Sequence, residues 1–166
     1  MAKLGGNLDE FIDKALLECL NQDEGHAVVN AFEDNDEFLA SDKDVDSELL
    51  VKVQFRQPIK LSGIKVLGGP EDDTAPQSVK IFEGKENIGF AEAGDEEAKQ
   101  ELQLEAEATQ GDGSIVPVRF VKFQMVRTLQ LYFPDAGNDQ TQVRRIQFFG
   151  EPAEKMDMKE WKPIKG

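Results

Sequence analysis

The sequence predicts an all-β fold, an antiparallel sandwich or barrel, on three observations. Directly after Glu48 the apolar residues fall at every second position, the period of a half-buried strand. Further short strand-like runs continue as far as Phe149, at the spacing expected of such folds. Between them stand turn signals containing Gly, Pro, Asn and Asp, which favour chain reversals.

The elements follow in order. Leu8, Phe11, Ile12, Ala15, Leu16, Cys19 and Leu20 make one apolar stripe at helical spacing. They predict a short N-terminal helix over 8–20, capped by Asn7, with Asp9 and Glu10 suited to its dipole. Residues 21–48 are acidic and Asn-rich, with isolated Phe32, Phe38 and Leu39. They read as an ordered loop pinned by those side chains, long enough to hold a short extra element. Leu49, Val51, Val53 and Phe55 then alternate with Leu50, Lys52, Gln54 and Arg56, predicting a strand closed by Gln57-Pro58. A second strand covers 59–67, with Gly63 a candidate bulge where the phase shifts from Leu61 to Ile64. Residues 68–73 read as a loop, and further strands are expected at 78–82, 101–106, 119–123, 128–133 and 143–149. The tail is polar except for Met156, Met158, Trp161 and Ile164, and no internal repeat is found.

Composition narrows the function classes. A chain of 166 residues with 39% hydrophobic residues and eleven Phe can bury one core. Thirty-three acids against nineteen bases give a net charge of −14, which argues against nucleic acid and anionic membrane as partners. A single cysteine excludes an internal disulfide, a CxxC pair and a thiolate zinc site, and a single histidine leaves little for triad chemistry. No run reaches the ~18 apolar residues of a membrane-spanning helix and the start does not read as a signal peptide, so a cytoplasmic or nuclear location is expected. The charge is uneven: residues 1–48 hold fourteen acids and three lysines, a net −11, and the remainder carries −3. A second acidic cluster runs from Glu92 to Glu107. Both read as solvated surface or as a means of steering a basic partner.

Individual patterns bear on chemistry. Asp42, Asp44, Asp46 and Glu48 place acids at every second position like the start of a calcium loop, but Ser47 and Val53 stand where that loop needs Gly and Glu. An EF-hand is rejected, leaving a solvated strand entry or an irregular calcium site. Gly68-Gly69-Pro70 is a turn, since no Gly-Lys-Ser/Thr follows and Glu71, Asp72 and Asp73 would repel an anion. Cys19 is expected to be a buried structural thiol, and His26 to have a surface or capping role. Arg119, Lys122, Arg127, Arg144 and Arg145 alternate with aromatic residues. They are expected as outward charges pairing with the acidic N-terminal third, with protein docking as the alternative. No catalytic residue, cofactor or metal site is expected.

Several segments stand out as an ordered set. Glu18-Cys19-Leu20-Asn21, Leu39 with Ser41-Asp42, and Glu48-Leu49-Leu50 come first. Val53-x-Phe55-x-Gln57-Pro58-Ile59-Lys60-Leu61, Gly69-Pro70 and Pro76-x-x-Val79-Lys80-Ile81-Phe82 follow. Arg119-Phe120-Val121-Lys122-Phe123-Gln124-x-Val126 and Thr141-x-Val143-x-x-Ile146-x-x-x-Gly150 complete the set. In this order and spacing they resemble the PITH domain. Where the family runs Ser-Asp-x-Asp-Glu-x-Leu-Leu, residues 41–50 carry two extra residues. The likeness covers about 8–152, leaving 1–7 as an extension and 153–166 as a tail.

The resemblance implies a jelly-roll β-sandwich of the galactose-binding-like group. It also implies a non-enzymatic module that docks on the regulatory particle of the 26S proteasome; the chain itself is expected to be a monomer. In longer chains of the family a thioredoxin domain precedes the module; no CxxC motif occurs here. Asp42, Asp44, Asp46, Glu48, Glu71, Asp72 and Asp73 are the candidate protein contacts. The alternative is a small-ligand or carbohydrate-binding sandwich.

Overall fold

The computed structural model describes residues 5–84 and 87–153, so the tail with Met156, Met158, Trp161 and Ile164 lies outside the described residues. In chain order the strands are β1 (Gly6–Asn7), β2 (Glu18–Leu20), β3 (Leu39–Ala40), β4 (Leu49–Gly68) and β5 (Ser78–Glu83). A short helix α1 (Phe90–Asp95), β6 (Gln100–Gln103), α2 (Ala106–Thr109), β7 (Val116–Pro117), β8 (Val126–Phe133) and β9 (Gln142–Pro152) follow.

β4 organises the fold. Its first half pairs Leu49–Gln54 with Phe133–Thr128 of β8, and its second half pairs Ile59–Gly68 with Pro152–Val143 of β9. The strand thus leaves one layer and enters the other. One layer runs β2-β4-β8-β5-β6; in the other, β1 and β3 join β9, which lies beside β4 and then β7. All these pairings are antiparallel. The inward residues of both layers merge into one cluster containing Val51, Val53, Leu129, Leu131, Val66, Ile146 and Phe148. Phe148 meets the Phe55 ring edge-on at 5.6 Å and lies 6.4 Å from Phe32, tying the 21–48 segment to the core. The result is a curled antiparallel β-sandwich, as the alternating pattern predicts.

Four sequence expectations are corrected. Residues 8–20 form no continuous helix: single 3-10 turns occupy Asp9–Phe11 and Lys14–Leu16, and Glu18–Leu20 is a strand on Leu50–Lys52. A lone helix of this length is marginal in water, whereas the open edge of β4 supplies ladder hydrogen bonds. Leu8 and Ile12 reach the core, but Leu16 and Leu20 remain exposed. Gln57-Pro58 does not close the strand; it sits where the register shifts between Gln54 and Ile59. There the missing proline N–H disturbs no ladder bond and the chain turns the corner between layers. Residues 119–123 are a 3-10 turn at Phe120–Lys122 rather than a strand. The expected strand at 101–106 ends at Gln103, with Ala106 opening α2.

The strands expected at 78–82, 128–133 and 143–149 are present as β5, β8 and β9. The 21–48 segment contains a 3-10 turn at Val28–Phe32, the short β3 and isolated bridges Gln22–Ser41 and Asp23–His26; Phe32 and Leu39 are buried and Phe38 is half-buried. The register shift between Leu61 and Gly63 confirms the bulge.

Cys19 packs against the core from β2 but is half-buried rather than fully buried as expected. Burial pushes its thiol up from 9.0 to about 12. A raised folded value stabilises the fold fully below pH 9.0, and that contribution fades as pH rises toward about 12. Between pH 7.5 and 10.5 the wild type should therefore lose about 2 kcal/mol more than Cys19→Ala. Urea titrations of both proteins at the two pH values check this.

Candidate interaction surface

Both ends of β4 lie at one end of the sandwich, because the strand runs away from that end and returns. Leu49 pairs with Phe133 at the close of β8, and Gly68 with Val143 near the start of β9. The loop entering β4, the loop leaving it and the β8–β9 connection therefore meet. The Ser41 amide donates to the Thr141 carbonyl at 2.9 Å, and the Gly69 amide to the Gln142 carbonyl at 3.2 Å.

A buried polar chain fixes the three loops together. Gln140 Nε2 donates to the Ser41 carbonyl at 2.9 Å, and Gln142 Nε2 donates to Gln140 Oε1 at 3.0 Å. Gln142 Oε1 in turn accepts the Glu71 amide at 3.3 Å. Thr141 Oγ1 donates to the Ser47 carbonyl at 2.7 Å, and Ser41 Oγ accepts the Thr141 amide at 2.9 Å. Ser41, Ser47, Gln140, Thr141 and Gln142 are all buried, so each bond satisfies a group whose isolation would be costly. At the other side Asn21 Nδ2 donates to the Asp46 and Glu48 carbonyls at 3.2 and 2.8 Å and to Asp46 Oδ1 at 2.9 Å. Asn21 adopts a φ of 72°, a region that asparagine tolerates better than most residues.

This arrangement places the candidate contacts on one rim and divides them by role. Asp42 Oδ1 accepts the Asp44 amide at 2.9 Å, stabilising its own turn. Asp46 Oδ1 receives Asn21 and the Glu48 amide. The Glu48 carboxylate accepts a hydrogen bond from the Tyr132 hydroxyl. Asp44, Glu71 and Asp73 are exposed, and among the described residues their carboxylates have no hydrogen-bond or ion-pair partner. Asp72 opens the 3-10 turn Asp72–Thr74, whose Thr74 Oγ1 donates to the Glu71 carbonyl at 2.6 Å. Asp135 belongs to the same rim, although no local sequence pattern singles it out. The Ser47 hydroxyl at 2.7 Å chiefly holds its carboxyl below the ordinary range, helped by the Gly137 amide at 2.8 Å. Burial first, and the Glu48 carboxylate second, push the Tyr132 phenol above its ordinary value.

No set of three or more His, Cys, Asp or Glu converges as metal ligands among the described residues. Asp42, Asp46 and Glu48 are instead turned toward their own turn, Asn21 and Tyr132, and only Asp44 projects free, leaving the irregular calcium reading without a ligand set among the described residues. His26 Nδ1 lies 2.9 Å from Asp23 Oδ2, and its ring stacks on Phe38 at 4.3 Å, a local structural role. The His26 hydrogen bond is the main cause that lowers the Asp23 carboxyl.

The basic residues do not form one strip. Arg145 Nη2 contacts Asp9 Oδ2 at 2.9 Å, the expected pairing with the N-terminal third. Arg144 Nη2 donates to the Gly111 carbonyl at 2.9 Å. Arg119 and Lys122 lie at the Phe120–Lys122 turn, Arg127 is the second residue of β8, and the intervening Phe123 is buried.

Known proteins match this architecture. Residues 2–166 match the PITH domain. A PITH domain-containing protein of Drosophila pseudoobscura is 36% identical over 153 residues, covering 86% of this chain and 68% of that protein. Thioredoxin-like protein 1 of Schizosaccharomyces pombe is 31% identical over 151 residues, covering 88% of this chain. The chain thus spans 51% of the length of that relative. Among solved structures, the F5/8 type C domain of a Bacteroides fragilis protein matches with a TM-score of 0.64 at 12% identity, covering 91% of this chain and 99% of that one. A CBM32 domain of a Clostridium perfringens family 31 glycoside hydrolase matches with a TM-score of 0.61 at 16% identity, covering 91% and 100%. These likenesses show a galactose-binding-like β-sandwich. The matched span and the named relatives together place the chain in the PITH domain family.

Proposed function

We propose that this chain is a non-enzymatic, monomeric protein-interaction module of the cytoplasm or nucleus that docks on the regulatory particle of the 26S proteasome. Family membership supports an interaction module, and the likeness to a thioredoxin-like protein supports a link to a thioredoxin domain in longer chains. The observation that carries the docking surface is the rim itself. Its free acids, Asp44, Glu71 and Asp73, project from loops already braced by the Ser41–Gln140–Gln142–Glu71 chain, so little loop entropy is lost on binding. Exposed like charges on such a rim accelerate encounter with a basic surface, and salt screens that effect.

Tagged full chain should recover regulatory-particle subunits from a lysate at low salt and fewer at moderate salt. Recovery at neither salt would sink the reading.

A carbohydrate-binding role is the second reading, prompted by the fold of the CBM32 domains, one of which was solved in complex with galactose. The rim cleft lined by Gly68, Gly69, Ala75, Thr109, Gln110, Gly111 and Arg144 holds only about 70 Å³ and no aromatic ring. Small-ligand sites are usually larger and partly aromatic. A thermal-shift screen of sugars separates the readings, because consistent stabilisation by one sugar class would favour the second.

A further inference from the structure

Residues 119–125 leave the sandwich surface between two buried residues, Val118 and Val126. Only Phe123 turns back into the core; Phe120, Val121 and Met125 stay 40%, 82% and 51% exposed. Three sizeable apolar side chains in one short segment of a charged surface are more than scattered exposure requires. The segment is also stiff. The Val118 amide donates to the Ser62 carbonyl at 3.0 Å, the Leu61 amide to the Phe123 carbonyl at 2.9 Å, and Gln124 Nε2 to the Phe120 carbonyl at 2.6 Å. Gln100 Oε1 accepts the Arg119 amide at 2.8 Å, and Lys122 Nζ donates to the Lys99 carbonyl at 3.0 Å. Its apolar side chains are thus held outward by the fold.

The charge around them is opposite to that of the molecule. Arg119, Lys122 and Arg127 are exposed on a chain of net charge −14. Among the described residues the Arg119 and Arg127 guanidinium groups have no hydrogen-bond or ion-pair partner. Arg119 and Lys122 also border a groove of about 500 Å³, whose lining includes Asp95, Glu96, Glu97 and Glu101. With Lys80 and Lys99 the groove lining is balanced in charge, so the groove itself does not favour an acidic ligand, and the basic excess lies toward the turn and Arg127. Lys80 donates to the Ala93 and Gly94 carbonyls and Lys99 pairs with Glu83, which holds both lysines on the groove side, away from the exposed apolar side chains.

We infer that residues 119–127 are a second docking surface, for an acidic protein segment that carries an apolar anchor. The anchor would rest on Phe120, Val121 and Met125, and the partner's carboxylates would meet Arg119, Lys122 and Arg127. Apolar contact at the centre with charge at the margin is the usual division between affinity and orientation. The surface is independent of the acidic rim, which calls for a basic partner, so either can fail while the other stands.

The test selects a random twelve-residue peptide display library on the full chain, with Val121→Asp as counter-selection. Val121 is almost wholly exposed, so this variant should fold, and its circular dichroism and Tm verify that. Wild-type-selective peptides should combine Asp or Glu with Phe, Leu or Trp. A synthetic copy of one should shift amide resonances within 119–127 and bind about tenfold more weakly to Val121→Asp. Arg119→Glu should weaken it further at low salt than at high salt. Basic peptides, peptides that bind both proteins equally, or no selective peptide would overturn the proposal. Two rival occupants are read separately: co-sedimentation with phosphatidylserine vesicles lost in Arg119→Glu would assign the surface to a membrane. Concentration-dependent self-association lost in Val121→Asp would assign it to a second copy. Either result would also overturn the proposal.

Discussion

Gly150→Ala is expected to cost at least about 3 kcal/mol, read as a fall in Tm of roughly 6–12 °C for a chain of this size. Gly150 lies on β9 between Gly6 of β1 and Leu61 of β4. A methyl group there would overlap the Lys60 carbonyl oxygen and lie 3.0 Å from its carbon and 3.2 Å from the Leu61 Cα. These are backbone atoms that no side-chain rotation can move aside. Relief would require β9 to separate from β4 next to the bulge at Leu61–Gly63, loosening the strand pair that closes the second layer. At Gly6, its partner across β1, a methyl group would meet no atom within 4 Å, so Gly6→Ala should stay within about 0.5 kcal/mol of wild type. Differential scanning calorimetry of the two variants checks the contrast. Equal Tm values would mean that β1, β9 and β4 are not packed as described.

Asn21→Ala has the next largest expected effect, about 2–3 kcal/mol, concentrated on the rim. It removes three hydrogen bonds to Asp46 and Glu48 and places a residue with a Cβ and no compensating amide at a φ of 72°. Asn21→Gly relieves the backbone cost but not the lost bonds, so it should recover about 1 kcal/mol. The separation between the two variants divides strain from hydrogen bonding. Hydrogen exchange should show faster amide exchange in 42–48 in both variants, with little change in β8 and β5. Uniform acceleration across the sandwich would mean that the rim is not a locally braced unit.

The parts of the fold legible in the sequence are those in which one face of a strand must be buried. Leu49, Val51, Val53 and Phe55 declare their strand because a one-residue slip would expose all of them. The segment 8–20 misleads for the same kind of reason. Leu8 and Ile12 do point inward, but a spacing of three and four is also produced by 3-10 turns leading into an edge strand. Phe120 and Val121 read as strand residues although the chain leaves the sheet there. Period alone does not report whether a partner strand is within reach.

At the rim, the acids are legible in the sequence and their supports are not. Ser41 meets Gln140 and Thr141 across 99 and 100 residues of chain, and nothing local to any of the three marks that meeting. Asn21 carries a detectable signal, an asparagine directly following the β2 run Glu18–Leu20, but not the identity of its partners. The regular spacing of Asp42, Asp44, Asp46 and Glu48 suggests equivalence. The structure separates Asp42, Asp46 and Glu48, whose side chains brace the loop or the sheet, from Asp44, which projects free of such contacts among the described residues. Neutralising all of them together would therefore mix steering with stability.

The central claim, that an acidic rim docks this module on the proteasome regulatory particle, is tested most directly by association kinetics. Wild-type chain and an Asp44→Asn, Glu71→Gln, Asp73→Asn variant would each be mixed with purified regulatory particle at low and at physiological salt. The three positions are exposed, so the variant's Tm should stay within about 2 °C of wild type. The predicted result is an association rate lowered by roughly three- to tenfold at low salt, with the difference shrinking as salt is raised. Equal rates for the two proteins at both salts, or no binding by the wild type, would contradict the account.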